Sequence, residues 1–368
     1  MRLIITFYLI LLLHLAALAG ADLYQQLIDD IEDNQLDRHS LVEAAFIVSG
    51  AHTQIELTTS LDWFDSLLAD IKNKNLMVFM DKKASAERIF MYFHTTWLKT
   101  YKKEATTLLD IQFRRQFNCV SATVLYNLTC EKLDLTTMAF ETPTHVYTIF
   151  SNLNEYLMVE NTTSMGFNIM KNLKQYSQYL ADYYPQNMVY QIGLHRLYAY
   201  ENSKGREISN QELVGLICYN QAYLAAEKNQ FADSYEYVLL AQKFNADSRS
   251  NQNFEIQLYF RWGRELVLQK KFDQAFSVFA DAVYRYEDHP DFQNNCVLAF
   301  KSALQTAWQD KNWELTERMI LEIEELAILD EEDLEFQNEV LKNWYLFFIA
   351  NSNQEKAGEV SRLMNRWR

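Results

Sequence analysis

Three residues in chain order, Cys119, His145 and Glu160, have the types needed for nucleophilic thiol chemistry. Asn118 is a good N-cap, and Val124, Leu125, Leu128 and Leu133 form an apolar stripe behind it. This pattern predicts a helix over 119–133 with Cys119 at its first position. Backbone N–H groups there lack intrahelical partners and the helix dipole is positive, so thiolate is favoured over thiol. A free thiol with a pKa of about 8.5 is only slightly ionised at neutral pH, and a helix N-terminus plus an imidazolium lowers that value by several units. An imidazole fixed by a carboxylate can hold one nitrogen towards such a thiol.

The elements that must bring the three together are a helix and a hairpin. After Asp134 the period changes: Val146, Thr148 and Phe150 alternate with His145, Tyr147 and Ile149. Tyr156, Leu157, Met158 and Val159 form a second β-like run, and Ser151-Asn152-Leu153-Asn154 between them is rich in turn residues. With that tetrapeptide as the loop, Phe150 faces Glu155, facing positions sum to 305, and His145 faces Glu160. Directly opposed residues share a face with Cβ atoms about 4.5–5.5 Å apart. A one-residue slip would put the pair on opposite faces.

Upstream, residues 22–110 read as helices. Leu23, Leu27 and Ile31 recur at a spacing of four, Ser40 and Glu43 form a capping box, and Ser85 is a candidate cap for a helix carrying Ile89, Phe90, Tyr92, Phe93 and Trp97. From about residue 170 onward no further strand pattern is expected. Phe231, Phe272, Trp313 and Gln354 instead stand 41 residues apart, each after a polar stop and at the head of a new helical run. Nine residues before the first three stand Ala222, Gly263 and Leu304. Helix pairs with a period of about 34–47 residues are the signature of a helical solenoid. Gly263 followed by Phe272-Asp273-Gln274-Ala275 resembles the tetratricopeptide class.

Phe117-Asn118-Cys119-Val120-Ser121-Ala122, Glu141-Thr142-Pro143-Thr144-His145-Val146-Tyr147 and Val159-Glu160-Asn161-Thr162 resemble the core of the transglutaminase-like superfamily over roughly residues 40–170. That resemblance implies an α+β, papain-like N-terminal domain over 22–170, followed by an all-α, tetratricopeptide-like solenoid over 171–368, predominantly helical overall. It implies Cys119 as nucleophile, His145 as general base and acid, and Glu160 as the orienting carboxylate, where the family's usual residue is Asp. The Cys119 backbone N–H and the Gln116 side chain are the oxyanion candidates. The expected function is acyl transfer on amide or peptide bonds, as a peptidase, amidase, deamidase or transamidase, with the repeats docking a protein or peptide. The alternative is an inactive interaction module that works through the repeats.

Composition narrows the classes. A formal net charge of -15 repels phosphate backbones and anionic lipid, which excludes nucleic acid as a partner. Only 8 Gly and 3 Pro stand in 368 residues, which favours long helices. Arg2, residues 3–13, apolar apart from Thr6 and Tyr8, and the small-x-small sites Ala17-Leu18-Ala19 and Ala19-Gly20-Ala21 read as a signal peptide over 1–21, with an uncleaved N-terminal anchor as the alternative. The expected location is periplasmic or extracellular, with no membrane span in the mature chain, because the apolar stretch is short of the about 20 residues a span needs. Cys119, Cys130, Cys218 and Cys296 are too sparse to read as a disulfide framework, and Cys130 reads as packed core. Neither Cys-x-x-Cys nor His-x-x-x-His occurs, so no metal or cofactor is expected. His52, His94 and His195 read as ordinary histidines, and Asp330-Glu331-Glu332-Asp333 as a solvated helix start. Asn127-Leu128-Thr129 and Asn161-Thr162-Thr163 match the glycosylation pattern and read as chance. The sequence leaves the oligomeric state open.

Overall fold

The computed structural model describes residues 23–152, 155–181 and 184–367. The signal peptide expected over 1–21, and Leu153 and Asn154 of the expected turn, lie outside the described residues. Contacts divide the chain between Asn253 and Phe254.

The first unit holds α1 (Leu23–Asp30), α2 (Leu41–Val48), α3 (Gln54–Asn73), α4 (Lys82–Thr96), β1 (Thr100–Tyr101), α5 (Leu108–Arg114), β2 (Gln116–Phe117), α6 (Cys119–Lys132), β3 (Thr137–Glu141), β4 (Val146–Asn152), β5 (Glu155–Val159), α7 (Leu173–Ala181), α8 (Gln186–Ile192), α9 (Leu197–Asn202), β6 (Arg206–Ile208), α10 (Asn210–Glu227) and α11 (Phe231–Phe244). Local cap chemistry starts several of these helices. Ser40 accepts from the Glu43 N–H at 3.3 Å while the Glu43 carboxylate accepts from the Ser40 N–H at 2.7 Å, and Thr53 with Glu56 repeats the device on α3. The cap of α4 is Asp81, which accepts from the Ala84 N–H at 2.9 Å; Ser85 is already inside the first turn and donates to the Asp81 carbonyl at 2.8 Å.

Strands β5, β4, β3 and β6 form one antiparallel sheet in that order. Two expectations change here. A strand does occur beyond residue 170, because Arg206 to Ile208 pair with Glu141 to Ala139. The hairpin pairs Phe150 with Leu157 and Asn152 with Glu155, so facing positions sum to 307 and not 305. The strands run closer to the turn than the tetrapeptide loop allowed. A shift of two preserves the face, and Glu160 becomes the diagonal neighbour of His145.

An α+β papain-like domain over 22–170 with a separate tail is not the architecture. The described chain is mainly helical, and its sheets are small. A single apolar core runs from Leu23 to Phe244, and the buried Leu213, Val214 and Ile217 of α10 belong to it. The apolar face of α10 lies against α2, α6 and β3. A second, smaller cluster covers the other side of the hairpin with Tyr147, Met158, Ile169, Leu180 and Leu197.

The division of the chain falls within α12 (Arg249–Leu268). After it come α13 (Phe272–Arg285), α14 (Pro290–Gln309), α15 (Trp313–Leu326), α16 (Glu331–Ala350) and α17 (Gln354–Met364). Helices α11, α13, α15 and α17 begin at Phe231, Phe272, Trp313 and Gln354, the four expected positions. Two residues before each start stands a left-handed residue: Asn229, Lys270, Lys311 and Ser352, with φ of 58°, 59°, 56° and 57°. The 41-residue period is thus a repeated turn as well as a repeated helix. Gly263 makes room for Phe279 in its pair: a Cβ there would lie 2.2 Å from Cζ of that ring, which would have to move. The acidic run at 330–333 opens α16 as expected, with Asp330 as N-cap accepting from the Asp333 N–H at 2.9 Å, but it is not solvated throughout, because Asp333 is buried and paired with Lys301.

Candidate active site

The N-terminus of α6 is built around Asn118. Its Oδ1 accepts from the Val120 and Ser121 N–H groups at 2.9 and 3.1 Å, and its own N–H donates to Ser121 Oγ at 3.0 Å. Asn118 Nδ2 donates to the Lys103 carbonyl at 2.9 Å, and Ser121 Oγ to the Ala105 carbonyl at 2.7 Å, so the preceding loop is fastened to the helix start. The cap bonds Val120 and Ser121 and leaves the Cys119 N–H outside it. All four cysteines are free; Cys119 is half-buried, whereas Cys130, Cys218 and Cys296 are buried.

His145 stands just before β4. The Thr142 hydroxyl accepts from its N–H at 3.1 Å, and the Thr142 N–H donates to its carbonyl at 2.8 Å, which closes a tight turn through Pro143. Glu160 stands just after β5, where its N–H donates to the Gly166 carbonyl at 3.0 Å. A Cβ on Gly166 would lie 1.8 Å from the Glu160 carbonyl oxygen, so only glycine allows this approach.

The two meet at the end of the hairpin. His145 Nε2 lies 2.6 Å from Glu160 Oε2, with both side chains fully buried. Glu160 Oε1 accepts from the Thr162 hydroxyl at 2.6 Å and from its N–H at 3.1 Å. The Cys119 side chain lies near enough to the imidazole for its charge to act on it. Burial pushes the His145 pKa down, but the charges of Glu160 and Cys119 and the hydrogen bond to Glu160 outweigh it and hold the imidazolium well above the usual histidine value. The structure therefore joins His145 to Glu160 and places Cys119, at the head of α6, near the same imidazole. Gln116 lies in β2 two residues before the cap, paired by its backbone with Thr100, and is half-buried.

Two side chains near the site escaped the sequence reading. His94 has its ring 4.5 Å from that of Phe90 and 6.5 Å from that of Phe117. Its Nε2 is buried without a hydrogen-bond partner. Burial lowers its pKa to about 4, against a raising influence from the nearby Glu160, so the ring is neutral at physiological pH. Its signal was the four-residue spacing from Phe90 on α4, a helix that packs on α6. Asn161 is 1% exposed and Asn127 is fully buried, so neither side chain is available for glycosylation. A buried asparagine directly after the proposed carboxylate was the overlooked signal.

No family model matches the chain, and no curated protein matches it. A comparison with solved structures pairs it with menin, in a crystal structure that reveals menin's binding site for Mixed Lineage Leukemia (MLL) protein. That pairing covers 93% of this chain and 91% of the menin chain, at 12% identity and a TM-score of 0.37. Overlap at this level defines neither a family nor a function. Membership of the transglutaminase-like superfamily, with a tetratricopeptide-like tail, is corrected accordingly: no model of either family matches, and the papain-like fold is not formed. The segments that carried the resemblance specify a cap, a helix start and two strand ends, which is a local arrangement and not a fold. Among the described residues, no helix is long and apolar enough to cross a membrane.

Proposed function

We propose that the protein is an exported, thiol-dependent acyl-transfer enzyme acting on amide or peptide bonds. The observation that carries this reading is the buried 2.6 Å contact between His145 and Glu160, beside a half-buried cysteine at a helix N-terminus that is close enough to act on the imidazole. His145 holds the thiol proton while Cys119 attacks the amide carbonyl. The Cys119 N–H, left outside the Asn118 cap, faces the developing oxyanion, and Gln116 is the candidate second donor. The intermediate collapses to a thioester as His145 passes its proton to the leaving amine. Water then releases the acid, or an acceptor amine takes the acyl group, with His145 removing the proton of the incoming nucleophile and returning it to the thiol. The residues at 1–21 supply the export signal in this reading. Purified protein is incubated with a peptide library and a labelled amine, and cleaved, deamidated and amine-bearing products are counted by mass spectrometry. Products absent from Cys119→Ala and His145→Ala support the reading; an unchanged product set in Cys119→Ala removes it.

A second reading, an inactive interaction module, draws on large apolar side chains left exposed on the repeats, among them Tyr284 at 75% and Leu298 and Leu346 each at 63%. A partner captured equally by wild type and by the Cys119→Ala, His145→Ala double variant, in the absence of any product, favours it.

A further inference from the structure

We propose that Asn161 is a positioning residue of this site: its side-chain amide ties the segment bearing Glu160 both to the helix headed by Cys119 and to the strand led by His145. The inference rests on the acyl-transfer reading and adds a residue to it.

Asn161 Nδ2 lies 2.8 Å from Thr148 Oγ1 and 3.2 Å from Thr123 Oγ1, with the Val159 carbonyl at 3.4 Å. An amide nitrogen has two hydrogens, so the two threonine hydroxyls satisfy it. Thr123 is four residues after Cys119 on α6, one turn further along the same face. Thr148 is three residues after His145 on β4. One amide therefore bridges the three elements that carry the three reacting or orienting side chains.

The direction of the bonds is fixed. The Thr148 hydroxyl donates to Asn127 Oδ1 at 2.5 Å and the Thr123 hydroxyl to the Val146 carbonyl at 3.5 Å, so each has a lone pair for Asn161. Asn127 Nδ2 in turn donates to the Met138 carbonyl at 3.1 Å and to Asn210 Oδ1 at 2.9 Å, which anchors the chain of bonds in β3 and α10. Asn161, Thr123, Thr148 and Asn127 are all buried, at 1% exposure or less. A buried directional network of this kind rigidifies what it joins. The bonds that Glu160 makes with Gly166 and Thr162 come from its own loop.

The test measures iodoacetamide alkylation of Cys119 at pH 6 and pH 9 by peptide mass spectrometry, with melting temperature measured alongside. The share of the pH 9 rate kept at pH 6 reports how well the imidazole engages the thiol, which a loss of packing alone does not change. Asn161→Ala and the isosteric Thr123→Val are compared with wild type, with His145→Ala as the reference for a disengaged imidazole. Thr129→Val, which removes a buried hydroxyl without a partner on the same helix, is the packing control. The expected result is a fall of about tenfold in that share for Asn161→Ala and Thr123→Val, in line with the cost of small misplacements, with Thr129→Val at the wild-type value. If Asn161→Ala does not fold, Thr123→Val decides. Wild-type shares in Asn161→Ala and Thr123→Val, with a collapsed share in His145→Ala, overturn the positioning role and leave the acyl-transfer reading standing. A wild-type share in His145→Ala overturns that reading, and the positioning role with it.

Discussion

His145 Nε2 and Glu160 Oε2 lie 2.6 Å apart although the hairpin register does not set the two residues opposite one another. With facing positions summing to 307, Glu160 would oppose Tyr147, and the imidazole reaches the carboxylate along the diagonal. Diagonal neighbours stand about 7–8 Å apart, within reach of long side chains. The contact is made where each residue has just left its strand, so the side chains are not confined to perpendicular directions. The carboxylate holds Nε2 of the ring, and the Thr162 bonds fix the carboxylate.

Glu160→Gln follows as the most discriminating substitution. It keeps the shape and removes the charge, so the amide no longer holds the imidazole in the required tautomer. Turnover on an amide substrate is expected to fall about 10⁴-fold with little change in KM, the loss seen when the orienting carboxylate of a triad is made neutral. Steady-state kinetics decide it. Turnover within threefold of wild type would mean that Glu160 is only a buried ion-pair partner.

The His145 imidazolium makes stability depend on pH in a definite sense. Its folded pKa is raised well above the usual value, despite burial, by Glu160 and Cys119. The folded protein therefore keeps a proton that the unfolded chain has lost. The stabilisation is fully present below the unfolded value of about 6.5 and is lost as pH rises through the folded value. The melting temperature is expected to fall between pH 7 and pH 10 more steeply in wild type than in Glu160→Gln. Parallel profiles in the two proteins would refute the coupling.

His94 acts in the opposite direction. Burial lowers its pKa to about 4. As pH falls from about 6.5 towards that value the unfolded chain takes up a proton that the folded chain refuses, so stability is lost over this window. His94→Phe, which keeps a ring among Phe90 and Phe117, is expected to flatten the melting profile between pH 4 and pH 6.5. A variant profile as steep as wild type would assign the acid sensitivity to other groups.

What was legible in the sequence was local. Asn118 heading α6, Ser40 with Glu43 and the four helix starts from Phe231 to Gln354 depend on side chains a few residues apart or on a strict period, and the structure forms each of them. Ser85 lost the cap of α4 to Asp81 because both lie within reach of the first turn and only the backbone decides between them. The hairpin register rested on an assumed loop length, which long-range pairing reset by two positions. Strand β6 carries three residues, too few for an alternating pattern to announce it. The family-scale fold was misjudged for a related reason. Short segments can place a thiol, an imidazole and a carboxylate together, but the core that holds them draws on α10, far along the chain.

Gly166 ties that core to the chemistry. An added Cβ would lie 1.8 Å from the Glu160 carbonyl oxygen and 2.7 Å from the Glu160 carbonyl carbon, both main-chain atoms with no rotamer to move away. Gly166→Ala must therefore displace the Glu160 backbone, stretch the 3.0 Å bond from the Glu160 N–H to the Gly166 carbonyl, and draw the carboxylate off His145. Gly358, inside α17, has nothing within 4 Å of an added Cβ, and alanine there gains helix propensity. Gly166→Ala is expected to reduce amide turnover at least tenfold, the scale of a misplaced orienting group, and to lower the melting temperature, whereas Gly358→Ala leaves turnover unchanged and raises the melting temperature slightly. Full turnover in Gly166→Ala would show that Glu160 can shift with its loop and still hold the imidazole, which would separate the carboxylate's position from the activity.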